Sequence, residues 1–227
     1  MIANKVKVLL GLTLISAACA SQAAVTTVPL TGMDTDIRTW TNGNAYDPLY
    51  DSTQTLGGVS FSFAQDANRN TAVYFSPAAL STSIANASVV YTLVNSAVGA
   101  YGSDAGHITF YGSGGAVYTY TYTEGINIRD HFFGSYENST SSADVTPAVW
   151  GVNSPGNAHL DMQTIVLPAA FHSQTLTSIV FDSSYAGGGG KAFLAGVSVA
   201  AVPEPGEYAM LLLGLGLMGA VARRRRG

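Results

Sequence analysis

AFLAGVSVA, at residues 192–200, carries the clearest β-strand signal in the chain. Successive side chains of a strand point to opposite faces, so residues two apart share a face. This rule predicts one apolar face made of Phe193, Ala195, Val197 and Val199. The same alternation places Val59, Phe61 and Phe63 on one face, and Leu160, Met162, Thr164 and Val166 on another. The pattern predicts half-buried strands that pack on a common core.

Further stretches rich in Val, Ile, Thr, Tyr and Phe extend this interpretation. The predicted strands are Gly58–Ala64, Thr71–Ser76, Ser88–Asn95, His107–Tyr111, Ala116–Thr123, His159–Leu167, Ser178–Asp182 and Ala192–Ala200. Turn-forming residues separate them, as in 112–115, 153–157 and 187–190. No helical period appears between the two termini. The sequence therefore predicts an all-β protein, a single β-sandwich over residues 24–201, and favours a jelly roll.

The charge of the central segment excludes one class of function. Residues 21–202 contain four basic and twelve acidic residues, a formal charge of −8, whereas the whole chain has −4. Nucleic-acid binding depends on Lys and Arg neutralising phosphates. The segment is therefore not expected to bind nucleic acid, and its sparse charge suits an extracellular surface.

The N-terminal end has the pattern of a secretory signal peptide. Lys5 and Lys7 precede the apolar stretch Val8–Ala18, and small residues follow. We therefore predict a signal peptide over residues 1–23 and export through Sec-type machinery.

Two details of this signal remain alternatives. Cleavage after Ala20 or after Ala23 satisfies a small-x-small rule. Cys19, the single cysteine, could instead mark a lipoprotein, but Ser16 stands where such signals usually carry Leu. If Cys19 leaves with the signal peptide, the mature protein contains no disulfide.

The C-terminal end predicts a short membrane-spanning helix. Residues 208–222 carry no charge, and a helix of this length covers roughly 22 Å, less than the roughly 30 Å hydrocarbon core. Arg223–Arg226 follow it, so the positive-inside rule keeps the C-terminus cytoplasmic and the body of the protein outside. The short span suits transient insertion better than a permanent anchor. An ordinary single-pass anchor is the alternative.

Three ordered elements at this end resemble the PEP-CTERM sorting signal of Gram-negative bacteria. They are the triplet Pro203, Glu204, Pro205, the apolar run 208–222, and the cluster Arg223, Arg224, Arg225, Arg226. The resemblance implies that residues 202–227 are a sorting tail, recognised and cleaved near the triplet by an exosortase. It also implies delivery to the cell surface or an exopolysaccharide matrix.

Residues 124–200 are similar in pattern to the second half of galactose-binding-like jelly rolls. The similar stretches are Glu124–Asp130, Val149–Gly151, Leu160–Met162, Leu176–Ile179 and Phe193–Val197. This resemblance implies a jelly-roll fold and, more distantly, a sugar ligand, because function belongs to sites rather than folds.

Aromatic side chains provide candidate glycan contacts. Tyr118, Tyr120 and Tyr122 lie two residues apart on one predicted strand, so their rings share a face. An exposed face would stack on sugar rings, and Trp150 is a further candidate, as is Trp40. The alternative is that these tyrosines occupy a half-buried sheet surface and that both tryptophans are buried.

Ionisable residues provide two further candidate sites. Arg129, Asp130 and His131, with Glu124 nearby, could form an acid/base site, or Arg129 and Asp130 could tie a loop to the sheet. Catalysis requires converging roles, which a local cluster does not supply.

Asp34 and Asp36 could contribute to a calcium site, but the EF-hand loop pattern is absent. A solvated turn is the alternative there. The four histidines show no zinc-binding spacing, and the sequence indicates no cofactor.

These observations favour a non-enzymatic, exported surface or matrix protein that associates with polysaccharide. A carbohydrate-binding module that recognises a surface or matrix glycan is one alternative, and a polysaccharide hydrolase is another. A hydrolase would need two carboxyl groups roughly 5–10 Å apart across a groove, which a linear sequence does not reveal.

Overall fold

The computed structural model describes residues 24–40, 46, 49, 52–63, 75–132, 134, 136–152, 158–183, 190–202, 214–215 and 218. The predicted signal peptide, the Pro-Glu-Pro triplet and the arginine cluster lie outside these residues, as does most of the predicted helix 208–222. Within the described part of the chain, no helix has both the length and the apolar character needed to span a membrane.

The described residues form eleven β-strands and two short 3-10 turns. The strands are β1 Val25–Val28, β2 Ser52–Leu56, β3 Val59–Phe63, β4 Ala78–Ala85, β5 Ala87–Ala97, β6 Asp104–Gly112, β7 Val117–Thr123, β8 Val145–Val152, β9 Ala158–Val166, β10 Thr175–Asp182 and β11 Lys191–Ala201. The 3-10 turns are Ile37–Trp40 and Ala169–Ser173.

Two antiparallel sheets form a sandwich, as the sequence predicted. The five-stranded sheet has the order β1-β11-β5-β9-β8, and the four-stranded sheet has the order β4-β10-β6-β7. The strands β2 and β3 form a separate hairpin. Strand β11 lies between β1 and β5, with Val25 opposite Ala200, and the N–H of Ala201 donates to the carbonyl of Ala24 at 3.2 Å. The two ends of the sandwich therefore lie side by side.

The central strands of the five-stranded sheet are buried on both faces. One face packs against the four-stranded sheet, where Val94 and Val197 belong to the same apolar cluster as Ile108 and Ile179. The other face is covered by the hairpin, where Phe61 belongs to a second cluster. Burial on both faces explains the nearly continuous apolar sequence of β11.

One predicted face is wrong in detail. Phe193 and Ala195 lie in the hairpin-side cluster, whereas Val197 and Val199 lie in the cluster between the sheets. The cause is a β-bulge, because the pairing of β11 with β5 shifts register between Leu194 and Gly196. The extra residue turns the following side chains to the opposite face. The predicted common face of Val59, Phe61 and Phe63 is confirmed, since all three lie in the hairpin-side cluster.

Most predicted strands overlap strands of the structure. The exception is Thr71–Ser76, of which 71–74 lie outside the described residues and Phe75 and Ser76 are not in a strand. The strands β1, β2, β4 and β8 were not predicted. All four are edge strands, and Leu80 is the one buried residue of β4, so the apolar alternation that marks a strand is weak there.

Candidate functional site

The site lies where the connection from β7 to β8 runs along the end of β5. Ser96 of β5 accepts a hydrogen bond from the N–H of His131 at 2.9 Å and donates its own N–H to the carbonyl of Arg129 at 3.0 Å. This pairing places the segment around Asp130 beside the end of β5, and Phe132 pairs with Ala158 at the start of β9. It brings the ionisable cluster noted in the sequence against the body of the sandwich.

Arg129 forms a buried, bidentate ion pair with Asp161 of β9. Nε and Nη2 of the arginine donate to the two carboxylate oxygens at 2.7 and 2.8 Å. Asp161 is 0 % exposed and also accepts from Asn95 Nδ2 and from the N–H of Ala148. Arg129 therefore ties the loop to the sheet, as one of the two sequence interpretations held.

Asp130 fixes the turn that follows β5. Its Oδ2 accepts from the N–H of Val98 at 2.8 Å, and its Oδ1 accepts from the N–H of Phe132 at 2.7 Å. Burial raises the pKa of the Asp130 carboxyl, and the two backbone hydrogen bonds partly oppose that rise. Val98 has φ of 56°, a left-handed conformation that strains a β-branched residue. Such strain is concentrated at functional sites.

His131 is a buried, neutral imidazole. Its Nδ1 shares a 2.9 Å hydrogen bond with the hydroxyl of Tyr46. Its ring lies 5.4 Å from that of Trp40 and 5.5 Å from that of Phe193, measured between centroids. Burial, with a smaller contribution from His159, lowers the pKa of His131 to about 4. The ring is therefore uncharged at neutral pH.

These residues surround a partly open cleft of about 180 Å³, which we call the Asp130 cleft. It is lined by Trp40, Ala97, Val98, Asp130, His131, Phe132 and Tyr136. Tyr136 is 52 % exposed, whereas Asp130 is 2 % exposed. Exposed aromatic surface therefore adjoins buried polar groups, the usual composition of a small-molecule site.

Glu124 lies near this cleft but is sealed from solvent. It is 0 % exposed, and neither carboxylate oxygen has a hydrogen-bond partner within the described chain. Its carboxyl packs against Gly99 and Gly190, where a Cβ at either position would collide with it. Burial raises the pKa of Glu124 to about 7, the nearby charges of Asp130 and Glu137 add to the rise, and the hydroxyl of Ser96 partly opposes it. A ligand in the cleft does not reach this group without a rearrangement.

The tyrosines of β7 face into the sandwich. Tyr122 is 0 % exposed, and Tyr118 and Tyr120 are half-buried against the cluster between the sheets. The opposite face, with Thr119 and Thr121, is the exposed one. A glycan platform on this strand requires exposed rings, and Tyr122 offers none in this arrangement.

The two tryptophans occupy different places. Trp150 is half-buried and stacks on Tyr46 at 5.0 Å between ring centroids. Trp40 is half-buried at the cleft, 5.0 Å from the ring of Phe75. The structure therefore brings Trp40 to the site, whereas a glycan contact by Trp150 stays a prediction.

Asp34 secures a loop through hydrogen bonds. Its two carboxylate oxygens accept from the N–H groups of Phe75 and Ser76, each at 2.9 Å. Although burial opposes them, these bonds and that from Thr35 hold the pKa of Asp34 below its usual range. The described residues contain no group of three or more His, Cys, Asp or Glu side chains arranged to hold a metal. Calcium binding by Asp34 and Asp36 stays a prediction.

Four residues of the cleft were not singled out from the sequence: Ala97, Val98, Phe132 and Tyr136. The signal that could have found two of them is FFGSY at residues 132–136, an aromatic-rich segment with no strand alternation. Loops carry binding residues more often than strands do. The strain at Val98 has no local sequence signal.

The family comparison concerns the C-terminal end of the chain. Residues 201–226 match the model described as the PEP-CTERM protein-sorting motif, and this match begins at the last residue of β11. No curated protein matches the chain significantly. The match covers the Pro-Glu-Pro triplet, the apolar run and the arginine cluster that the sequence analysis identified. The chain therefore carries a PEP-CTERM protein-sorting motif directly after its β-sandwich.

Proposed function

We propose that this chain is an exported protein of the surface or exopolysaccharide matrix of a Gram-negative bacterium, sorted and cleaved by an exosortase. The observation that carries the proposal is the sorting motif at residues 201–226. Its position supports the proposal too, because β11 ends at Ala201 and cleavage beyond that residue leaves every strand intact.

The finer steps of the proposal follow from the two ends of the chain. Residues 1–23 direct the chain to Sec-type export machinery, and residues 208–222 hold it in the membrane until the exosortase acts. Removal of both ends leaves an acidic domain without cysteine. We further propose that this domain is a jelly roll. The successive strands β9, β10 and β11 alternate between the two sheets, which supports that assignment.

Mass spectrometry of the released protein tests this proposal. We expect an N-terminus at Ser21 or Ala24 and a C-terminus near Pro205 in a host that contains an exosortase. A variant with Pro203, Glu204 and Pro205 all changed to Ala should keep its tail and stay in the membrane fraction. Released protein that retains the Arg223–Arg226 cluster would contradict the proposal.

We also propose that the sandwich has no catalytic role. Three features support this. Glu124 is buried away from solvent, both carboxylate oxygens of Asp130 accept backbone hydrogen bonds, and His131 shares a hydrogen bond with Tyr46. The test is the release of new reducing ends from polysaccharides incubated with the protein. Release that disappears in Asp130→Asn would instead establish the hydrolase alternative.

A further inference from the structure

We propose that the Asp130 cleft binds a single neutral sugar residue of a polysaccharide. The inference adds a ligand to the surface or matrix role proposed above. It rests on the geometry of the cleft and not on the sorting tail, so the two proposals can fail separately.

The aromatic side chains of the cleft supply flat surfaces. Trp40 is held by edge contacts with Phe75 and Phe193, at 5.0 and 5.6 Å between ring centroids. Tyr136 is 52 % exposed and is the most accessible aromatic ring of the cleft lining. Rings that combine an apolar face with a polar edge suit a sugar, which has apolar C–H faces and hydroxyl edges.

The buried polar groups of the cleft supply hydrogen bonds for hydroxyls. An ionised carboxylate has about four acceptor sites, and the N–H groups of Val98 and Phe132 use two of those on Asp130. His131 uses its Nδ1 with Tyr46, and no hydrogen bond between described residues uses its Nε2. A neutral imidazole can donate to or accept from a hydroxyl. A few polar groups beside apolar surface fix the orientation of a ligand.

The charges of the residues that line the cleft favour a neutral sugar over an acidic one. No lining residue is cationic at neutral pH, because burial keeps His131 uncharged. The nearest arginine in the sequence, Arg129, is committed to Asp161, and the Nζ of Lys191 lies 4.0 Å from the centroid of the Phe75 ring. A uronic acid or sulfated sugar would meet the carboxylate of Asp130 with no Lys or Arg among the residues that line the cleft, whereas a neutral sugar brings no charge to it.

The size of the cleft limits the ligand to one ring. Its volume of about 180 Å³ is smaller than the roughly 300–1,000 Å³ of pockets that enclose drug-sized molecules. A cleft that is open on one side can hold one residue of a longer chain while the rest stays in solvent. The N–H of Val98, in its left-handed turn, donates to Oδ2 of Asp130 at 2.8 Å and so helps to fix the carboxylate at the cleft.

Affinity electrophoresis of the full chain tests the inference. Native gels would contain one of three neutral polysaccharides (dextran, galactomannan or arabinogalactan) or one of two acidic ones (alginate or polygalacturonate). We expect retardation by at least one neutral polysaccharide and by neither acidic one. Tyr136→Ala should weaken the apparent affinity by about tenfold or more, the equivalent of about 1.4 kcal/mol. Trp40→Phe should weaken it less.

Tyr111→Ala is the matched control, because Tyr111 is 39 % exposed on the four-stranded sheet and does not line the cleft. It should leave the affinity unchanged, and an unchanged melting temperature of Tyr136→Ala shows that this variant is folded. Three results overturn the inference: no retardation by any neutral polysaccharide, retardation by the acidic ones alone, or equal affinity of wild type and Tyr136→Ala. None of them bears on exosortase processing, which the mass spectrum reports independently.

Discussion

Asp161 and Glu124 are two carboxylates with the same burial and opposite surroundings. Both are 0 % exposed. Asp161 accepts from Arg129, Asn95 and Ala148, whereas Glu124 has no hydrogen-bond partner in the described chain and packs against Gly99 and Gly190. The difference shows that hydrogen-bond and charge partners, rather than the degree of burial, decide whether a buried carboxylate stabilises or destabilises the fold.

The first prediction removes the counter-charge of Asp161, the buried carboxylate that has partners. Arg129→Met leaves the carboxylate of Asp161 buried without its counter-charge. We expect a loss of about 3–5 kcal/mol in the free energy of unfolding, measured by urea denaturation at pH 7. Asp161→Asn in the same background should recover part of that loss, since it removes the unpaired charge. A loss below about 1 kcal/mol would mean that the ion pair contributes little.

The second prediction concerns the titration of Glu124, the buried carboxylate without a counter-charge among the described residues. The pKa of Glu124 is raised from 4.5 to about 7, so the native state binds its proton more tightly than the unfolded chain does. The stabilisation is complete below pH 4.5 and is lost as the pH rises through 7, on the order of 3 kcal/mol by pH 8. Glu124→Gln should lack this contribution, because its amide does not titrate. The informative quantity is therefore the difference in unfolding free energy between wild type and Glu124→Gln, measured from pH 4.5 to 8.

Subtracting the variant is necessary because two histidines act in the opposite direction. Burial lowers the pKa of His131 and of His159 to about 4, so their contribution is present above pH 6.5 and is lost as the pH falls toward 4. Asp130 and Glu137 are the like charges that act on Glu124. A pH-independent difference between wild type and Glu124→Gln would show that Glu124 does not titrate in this range.

The third prediction concerns the close packing of Gly190 against the carboxyl of Glu124. A Cβ at residue 190 would collide with the carboxyl of Glu124, so Gly190→Ala should cost about 1–3 kcal/mol of unfolding free energy. Gly151→Ala is the matched control, since a Cβ there makes only ordinary contacts at 3.4 Å or more. Thermal denaturation of both variants measures the contrast. Equal melting temperatures would show that the side chain of Glu124 moves away freely.

The fold was predictable wherever the information was local. Alternation in Gly58–Ala64 and Ala116–Thr123 marked β3 and β7, because each strand has one buried face. Strand β4, which is rich in Ser, Thr and Ala, was not predicted, because an edge strand buries few large side chains. The bulge in β11 was also not predicted, because the register shift depends on the pairing with β5 and not on the residues of β11 alone.

The site was predictable only as a cluster of residue types. Arg129, Asp130 and His131 were visible together, but the partner of Arg129 is 32 residues away on β9. The direction in which the β7 tyrosines face depended on which side of the strand the second sheet covers. Alternation identifies two faces without saying which one is inside.

The pairing of β1 with β11 has a consequence for the order of events during export. Ala24 and Ala201 are joined by a backbone hydrogen bond, so the polypeptide enters and leaves the sandwich at one point. A domain built in this way can complete its folding while the proposed signal peptide and sorting tail are both still in one lipid bilayer. The two cleavages proposed above can then occur in either order, and neither one exposes the core.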